Sequence, residues 1–148
     1  MSGTDFPRRP LRSAAALLSG FFTVVVLSLG ADIALRAVGI FPQLGQPMAP
    51  TLFLLATVYR TVFGVAGSYI TARLAPHRPM QHALAGGVVG LVLSIAGAVA
   101  TWNRGPDFGP HWYPLALVAL AMPTAWVGGK LNAITQAPNA PILRAEKF

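Results

Sequence analysis

Residues 83–102 read ALAGGVVGLVLSIAGAVATW, an apolar run without a single Asp, Glu, Lys or Arg. The hydrocarbon core of a bilayer takes about 20 apolar residues of α-helix to cross, and this run is that long. A surface helix of a soluble protein keeps a charged or polar face for water. No face of this segment can do so. Three more runs stand around it. Residues 14–31 (AAALLSGFFTVVVLSLGA) carry no charge, and residues 51–72 (TLFLLATVYRTVFGVAGSYITA) carry Arg60 alone. Residues 114–129 are shorter but extend through Lys130 and Leu131. Breakers separate them: three prolines and a glycine in residues 41–50, Pro76 and Pro79, and three prolines and two glycines in residues 105–114. These are loop compositions. No strand alternation competes, and a closed barrel needs more segments.

The expected fold is therefore all-α, an integral membrane bundle of four transmembrane helices in one domain, 1–148. The spans are placed at about 13–37, 51–74, 81–102 and 113–133, with cytoplasmic tails at 1–12 and 136–148. Composition agrees. Of 148 residues, 54% are hydrophobic and 10% are charged, against about 25% charged in a soluble domain. The mean hydropathy is +0.58. A soluble core would lack its charged shell, and a disordered basic tail would not be so apolar. The absence of cysteine excludes disulfides, iron–sulfur clusters, thiolate metal sites and cysteine nucleophiles. The net charge of +7 raises nucleic acid as a partner. Yet the basic residues are scattered in ones and twos, with no basic stripe to follow phosphates. No nucleic-acid partner is expected.

The first run could be read as a secretory signal, with Arg8, Arg9 and Arg12 before it. Its apolar part is longer than such signals use, and Leu29-Gly30-Ala31 is a poor cleavage site because Leu29 is not small. An uncleaved span is expected. Orientation follows from the basic residues beside the spans. With four spans, Arg8, Arg9, Arg12, Arg73, Arg78, Lys130, Arg144 and Lys147 fall on one side, and Arg36 and Arg104 on the other. Both termini are thus placed in the cytoplasm. Trp102, Trp112 and Tyr113 then sit at the outer interface, where aromatic belts form.

In lipid, helices associate through close packing of small residues and through hydrogen bonds. Gly86, Gly90, Ser94, Gly97 and Thr101 recur at helical spacing on the third span, and Arg60, Gly64, Gly67 and Thr71 on the second. Because a short turn joins these spans, the two stripes are expected to face each other or a shared interior. Gly64, Gly67, Gly86, Gly90 and Gly97 are the expected packing glycines. Pro123 is expected to kink the fourth span.

Arg60 is the most informative residue. A charge near mid-membrane costs about 3 kcal/mol on insertion scales and needs an acceptor. The chain has only four carboxylates: Asp5, Asp32, Asp107 and Glu146. Asp5 and Glu146 lie in the tails, and Asp32 ends the first run, within reach of an outward-directed Arg60. Arg36, at i+4 on the same helix, competes for it. Asp32, Arg36 and Arg60 form the candidate intramembrane polar cluster, read either as a register-fixing structural group or as the lining of an outward-opening polar cavity. Two arginines against one acid favour an anion or lipid headgroup as ligand.

His77 and His82 flank the inner turn while His111 is on the other side, so no metal site is expected. No catalytic motif such as GxSxG, a Walker loop or HExxH is present. Neither enzymatic activity nor a cofactor is expected.

The stretches Tyr59-Arg60-Thr61, Ala72-Arg73-Leu74-Ala75-Pro76, Pro79-Met80 and His82-Ala83-Leu84, with Trp112-Tyr113-Pro114 and Trp126-Val127-Gly128-Gly129, resemble small uncharacterised four-span proteins of bacterial inner membranes. The resemblance covers the last three spans. It implies that location and no activity. The chain does not resemble small multidrug transporters, which want a carboxylate deep within the first span. The expected function is a non-enzymatic accessory, scaffold or lipid-interacting subunit, with a small oligomeric transporter or channel around Arg60 and Asp32 as the alternative. Expected partners are membrane lipids, and either another membrane protein or further copies of the chain.

The orientation is directly testable. A reporter active only in the periplasm, fused to the carboxyl terminus, should give no signal. A strong signal would mean an odd number of spans.

Overall fold

The computed structural model describes residues 8–105 and 108–137. Asp107 lies outside them, as do Asp5, Arg144, Glu146 and Lys147 with most of both tails. Four helices occur among the described residues: α1 Arg8–Ala37, α2 Pro50–Leu74, α3 Pro79–Thr101 and α4 Trp112–Gln136. Each is long and apolar enough to cross a membrane, and no strand occurs among the described residues. All four carry a proline in the first turn (Pro10, Pro50, Pro79, Pro114), where its missing N–H is not required. That position also explains why α1 begins at Arg8, ahead of the expected residue 13. Pro123 lies inside α4 without interrupting it.

The end of α1 is closed by paired hydrogen bonds. Gly39 donates to the Arg36 carbonyl (3.1 Å) and Ile40 to the Leu35 carbonyl (2.9 Å). Gly39 has φ +76°, a left-handed geometry that favours glycine at this capping position. The cap turns the chain so that Phe41 is buried.

Side-chain pairings give the topology. Gly20 meets Gly67 and Asp32 meets Arg60, so α1 and α2 run antiparallel. Arg60 meets Tyr113, Gly64 meets Thr124 and Ser68 meets Gly128, so α2 and α4 run parallel. Gly87 meets Ala125 and Ala83 meets Gly129, so α3 and α4 are antiparallel. The result is an up-down-up-down bundle. α2 sits between α1 and α4, α3 leans on α4, and α1 touches α3 more lightly.

The large apolar side chains point outward. Leu18, Phe22, Leu29 and Ile33 make one exposed stripe on α1, and Val88, Val92 and Val99 are exposed on α3. In water such a surface would aggregate; in lipid it is the solvated face. The hydroxyls of Thr23, Thr57 and Thr61 donate to the carbonyls four residues back, which satisfies them without a neighbouring helix.

Glycine is found where backbones approach most closely. A methyl group on Gly67 would lie 2.7 Å from the Gly20 carbonyl oxygen, and one on Gly128 would lie 2.6 Å from the Val65 carbonyl oxygen. The glycines of α2 make their close contacts with α1 and α4 rather than with α3, and of the two expected arrangements it is the shared interior that occurs, since Gly64, Gly67, Gly86 and Gly90 border one cavity. On α3 the expected stripe is also displaced. A methyl group on Gly86 would make only ordinary contact with Leu17, at 3.6 Å, and one on Gly90 or Gly97 would meet nothing within 4 Å. Gly87 is the tight position, with a methyl group there only 2.5 Å from Ala125 Cβ. The reason is geometric. At about 100° per residue, Gly87 points about 100° from Gly86 and about 60° from Gly90, and α3 is turned toward α4 rather than α2, which brings Gly87 into the interface and leaves Gly90 outside it.

This rotation makes a stability prediction. Gly87→Leu should lower the detergent melting temperature more than Gly90→Leu, because only the former forces two backbones apart. Equal melting temperatures would mean that α3 does not pack on α4 through Gly87.

Candidate functional site

Arg60 is ten residues into α2, about 15 Å along its axis from Pro50. Asp32 is near the end of α1, and Tyr113 is the second residue of α4. Because α1 runs against α2 and α4 runs with it, both residues arrive at the same end of the bundle. By the charge rule this is the outer end. The Arg60 side chain extends toward it. Its Nη2 lies 2.9 Å from Asp32 Oδ2, and its Nη1 donates to the Tyr113 hydroxyl oxygen. The Tyr59 hydroxyl donates to Asp32 Oδ1. Both carboxylate oxygens are thereby occupied.

Arg36 does not take the carboxylate. Its Nη1 donates to the Asp32 backbone carbonyl at 3.3 Å. The two arginines thus divide Asp32, with the side chain going to Arg60 and the main chain to Arg36. The structure brings Asp32, Arg36 and Arg60 together as one cluster. It adds Tyr59 and Tyr113, which sequence reasoning did not place there. Tyr113 was legible only as an interfacial aromatic, and the one hint for Tyr59 was its position next to Arg60.

Aromatic rings surround the pair. Phe41 and Tyr59 have ring centroids 6.5 Å apart, Tyr59 and Phe63 5.6 Å, and Phe53 and Tyr113 5.1 Å. The α3–α4 loop lies over Phe53. Gly109 has φ +93°, and a side chain there would run into the Phe53 ring. His111 stacks on Trp102 at 4.5 Å and its Nε2 donates to the Trp102 carbonyl at 3.1 Å. His77 and His82 lie edge to face at 5.2 Å on the inner turn. Among the described residues, no three His, Asp or Glu side chains converge on one point.

Two hollows border Arg60. The inner one is a half-open cavity of about 720 Å³ bounded by all four helices. Its walls are chiefly apolar, with Leu17, Phe21 and Val24 from α1 and Leu117 and Leu120 from α4. The small residues Gly86, Gly90 and Ser94 of α3 form another wall, so the stripe expected to pack helices instead makes room. The outer hollow is about 260 Å³ and lies beneath the α1–α2 loop, with Asp32, Arg36, Tyr59, Tyr113, Gln43 and Gln46 among its lining residues. Arg60 is the one residue common to both.

Four apolar spans, a lipid-facing surface and a polar cluster held between helices define a helical integral membrane protein. Comparison with protein-family models, with curated proteins and with solved structures gives no match.

The cluster predicts a particular energetic pattern. Removing one partner of a fully buried pair costs about 3–5 kcal/mol, because the survivor is left uncompensated. Exposed pairs are worth about 0–1 kcal/mol. Arg60 and Asp32 are 31% and 16% exposed, so the loss should fall between these limits. Arg60→Leu and Asp32→Leu should each lower stability, and the double variant should recover part of the loss. Strictly additive losses would mean that the two side chains are uncoupled.

Proposed function

We propose that this chain is a non-enzymatic, lipid-interacting accessory protein of a bacterial inner membrane, receiving the apolar part of a lipid in the cleft between its helices. The observation that carries the reading is the cavity of about 720 Å³ ending on Arg60. Its volume is within the range of about 300–1,000 Å³ used by ligand sites. Its walls suit an alkyl chain, and its position among membrane spans gives lipid direct access. The non-enzymatic part is supported by Asp32, the one carboxylate among the described residues. Both its oxygens are engaged, so it is poorly placed to act as a base. The bacterial setting is supported by the resemblance of the last three spans to small inner-membrane proteins, and the orientation by the basic residues on one side.

A small oligomeric transporter is the second reading, favoured by the position of Arg60 as a wall of both hollows. It requires flux of chloride or phosphate across proteoliposomes, whereas the lipid-binding reading expects none.

Gly90 provides the test, since a side chain there enters the cavity without meeting another helix. Wild-type protein extracted in mild detergent should retain a lipid in native mass spectrometry. Gly90→Phe should keep its helical circular dichroism and melting temperature but lose that lipid. Retention unchanged by a filled cavity would defeat the proposal.

A further inference from the structure

We infer that the outer hollow is an anion subsite, in which Arg36 and Arg60 receive a phosphate or carboxylate. This inference rests on the lipid-binding reading for one of the two sources of that anion, a lipid headgroup; the other is a free anion from the outer aqueous phase.

A guanidinium carries five N–H groups and accepts nothing. Arg60 uses Nη2 on Asp32 and Nη1 on Tyr113. Arg36 uses Nη1 on the Asp32 carbonyl. The Nε atom of each arginine is enclosed and has no acceptor among the described residues, so neither guanidinium is saturated by the protein. Arg36 Nη2 also has no acceptor among the described residues and is not enclosed, so it is the donor that an acceptor from outside meets. Tyr113 accepts from Arg60 through its oxygen, which leaves its own proton to donate elsewhere.

Two guanidinium groups face one carboxylate, and Asp32 is fully engaged by Tyr59 and Arg60. Asp32 also lines the hollow, but its oxygens are held by these donors. The cluster keeps one net positive charge at the edge of a low-dielectric region, where uncompensated charge is expensive. A single anion balances it. Guanidinium groups bind phosphate and carboxylate through parallel N–H bonds, which suits both ligands.

At about 260 Å³, the hollow holds several waters at about 30 Å³ each, enough for an anionic group with part of its hydration. Gln43 and Gln46 from the covering loop add neutral polar groups to the wall. Since Arg60 borders both hollows, an amphiphile with its chain in the inner cleft would present its head at this guanidinium.

The test uses full-length protein incubated with equal amounts of phosphatidylglycerol and diacylglycerol of matched chains, the second lacking the phosphate, read by native mass spectrometry. A parallel arm reads the melting temperature with inorganic phosphate alone. One charge-assisted hydrogen bond of about 1.5 kcal/mol corresponds to about tenfold. Wild type should therefore retain phosphatidylglycerol about tenfold over diacylglycerol. Arg36→Gln should bring phosphatidylglycerol down to the level of diacylglycerol. Arg36→Lys, which keeps the charge, should keep a preference, separating loss of the anion contact from misfolding. If phosphate alone raises the melting temperature of wild type but not of Arg36→Gln, while no lipid preference is seen, the subsite holds for a free anion. No lipid preference together with no phosphate effect would overturn it. So would a preference that survives Arg36→Gln. Loss of both lipids from wild type would instead remove the cleft reading and leave the phosphate arm to decide the subsite.

Discussion

A guanidinium inside a bilayer must be brought to an acceptor, and the bundle is organised around that demand. Arg60 interrupts the apolar surface of α2 about midway along its span. Hydrocarbon offers no hydration, so stability requires an anionic or polar partner at the depth that its side chain can reach. Asp32 from α1 and Tyr113 from α4 supply it. Meeting this requirement fixes the vertical register of both helices against α2. It also gathers the ion pair and its two tyrosine hydroxyls at one end of the molecule, while Asn132 and Gln136 pair near the other end.

Register alone does not hold the helices together. Lipid tails solvate Leu and Val as well as a neighbouring helix does, so association depends on how closely backbones approach. Gly20 against Gly67 and Gly128 against Val65 achieve this on the two sides of α2. Gly87 does so between α3 and α4. These contacts leave α1 and α3 only lightly joined. On the α3 side of the space between them stand Gly86, Gly90 and Ser94, too small to fill it. The same small side chains that make a tight helix pair on one face therefore make a cavity on another.

The functional reading grows from this asymmetry. The apolar cleft and the polar outer hollow are different solvents placed end to end, with Arg60 as their common wall. An amphiphile is matched to that arrangement in a way that a wholly polar or wholly apolar molecule is not. The aromatic rings of Tyr59, Phe53 and Tyr113 line the outer hollow beside the ion pair.

The linear sequence determined what depends on composition along the chain. Uninterrupted apolar length defined the spans, prolines and glycines divided them, and the distribution of Lys and Arg implied their orientation. Scarcity made Asp32 the natural acceptor for Arg60, because so few carboxylates exist. The tertiary structure decided what depends on the rotation of one helix against another. At about 100° per residue, Gly87 points about 100° away from Gly86 and about 60° away from Gly90, enough for Gly87 to meet α4 while Gly90 opens into a cavity. No repeat within α3 distinguishes these two glycines, since both belong to an all-apolar helix with no charged face to mark its outside. Tyr59 and Tyr113 were hidden for a related reason. An aromatic at a membrane interface has the same sequence signature whether it anchors in headgroups or reaches inward, and only the three-dimensional meeting of α1, α2 and α4 brings both hydroxyls to the ion pair.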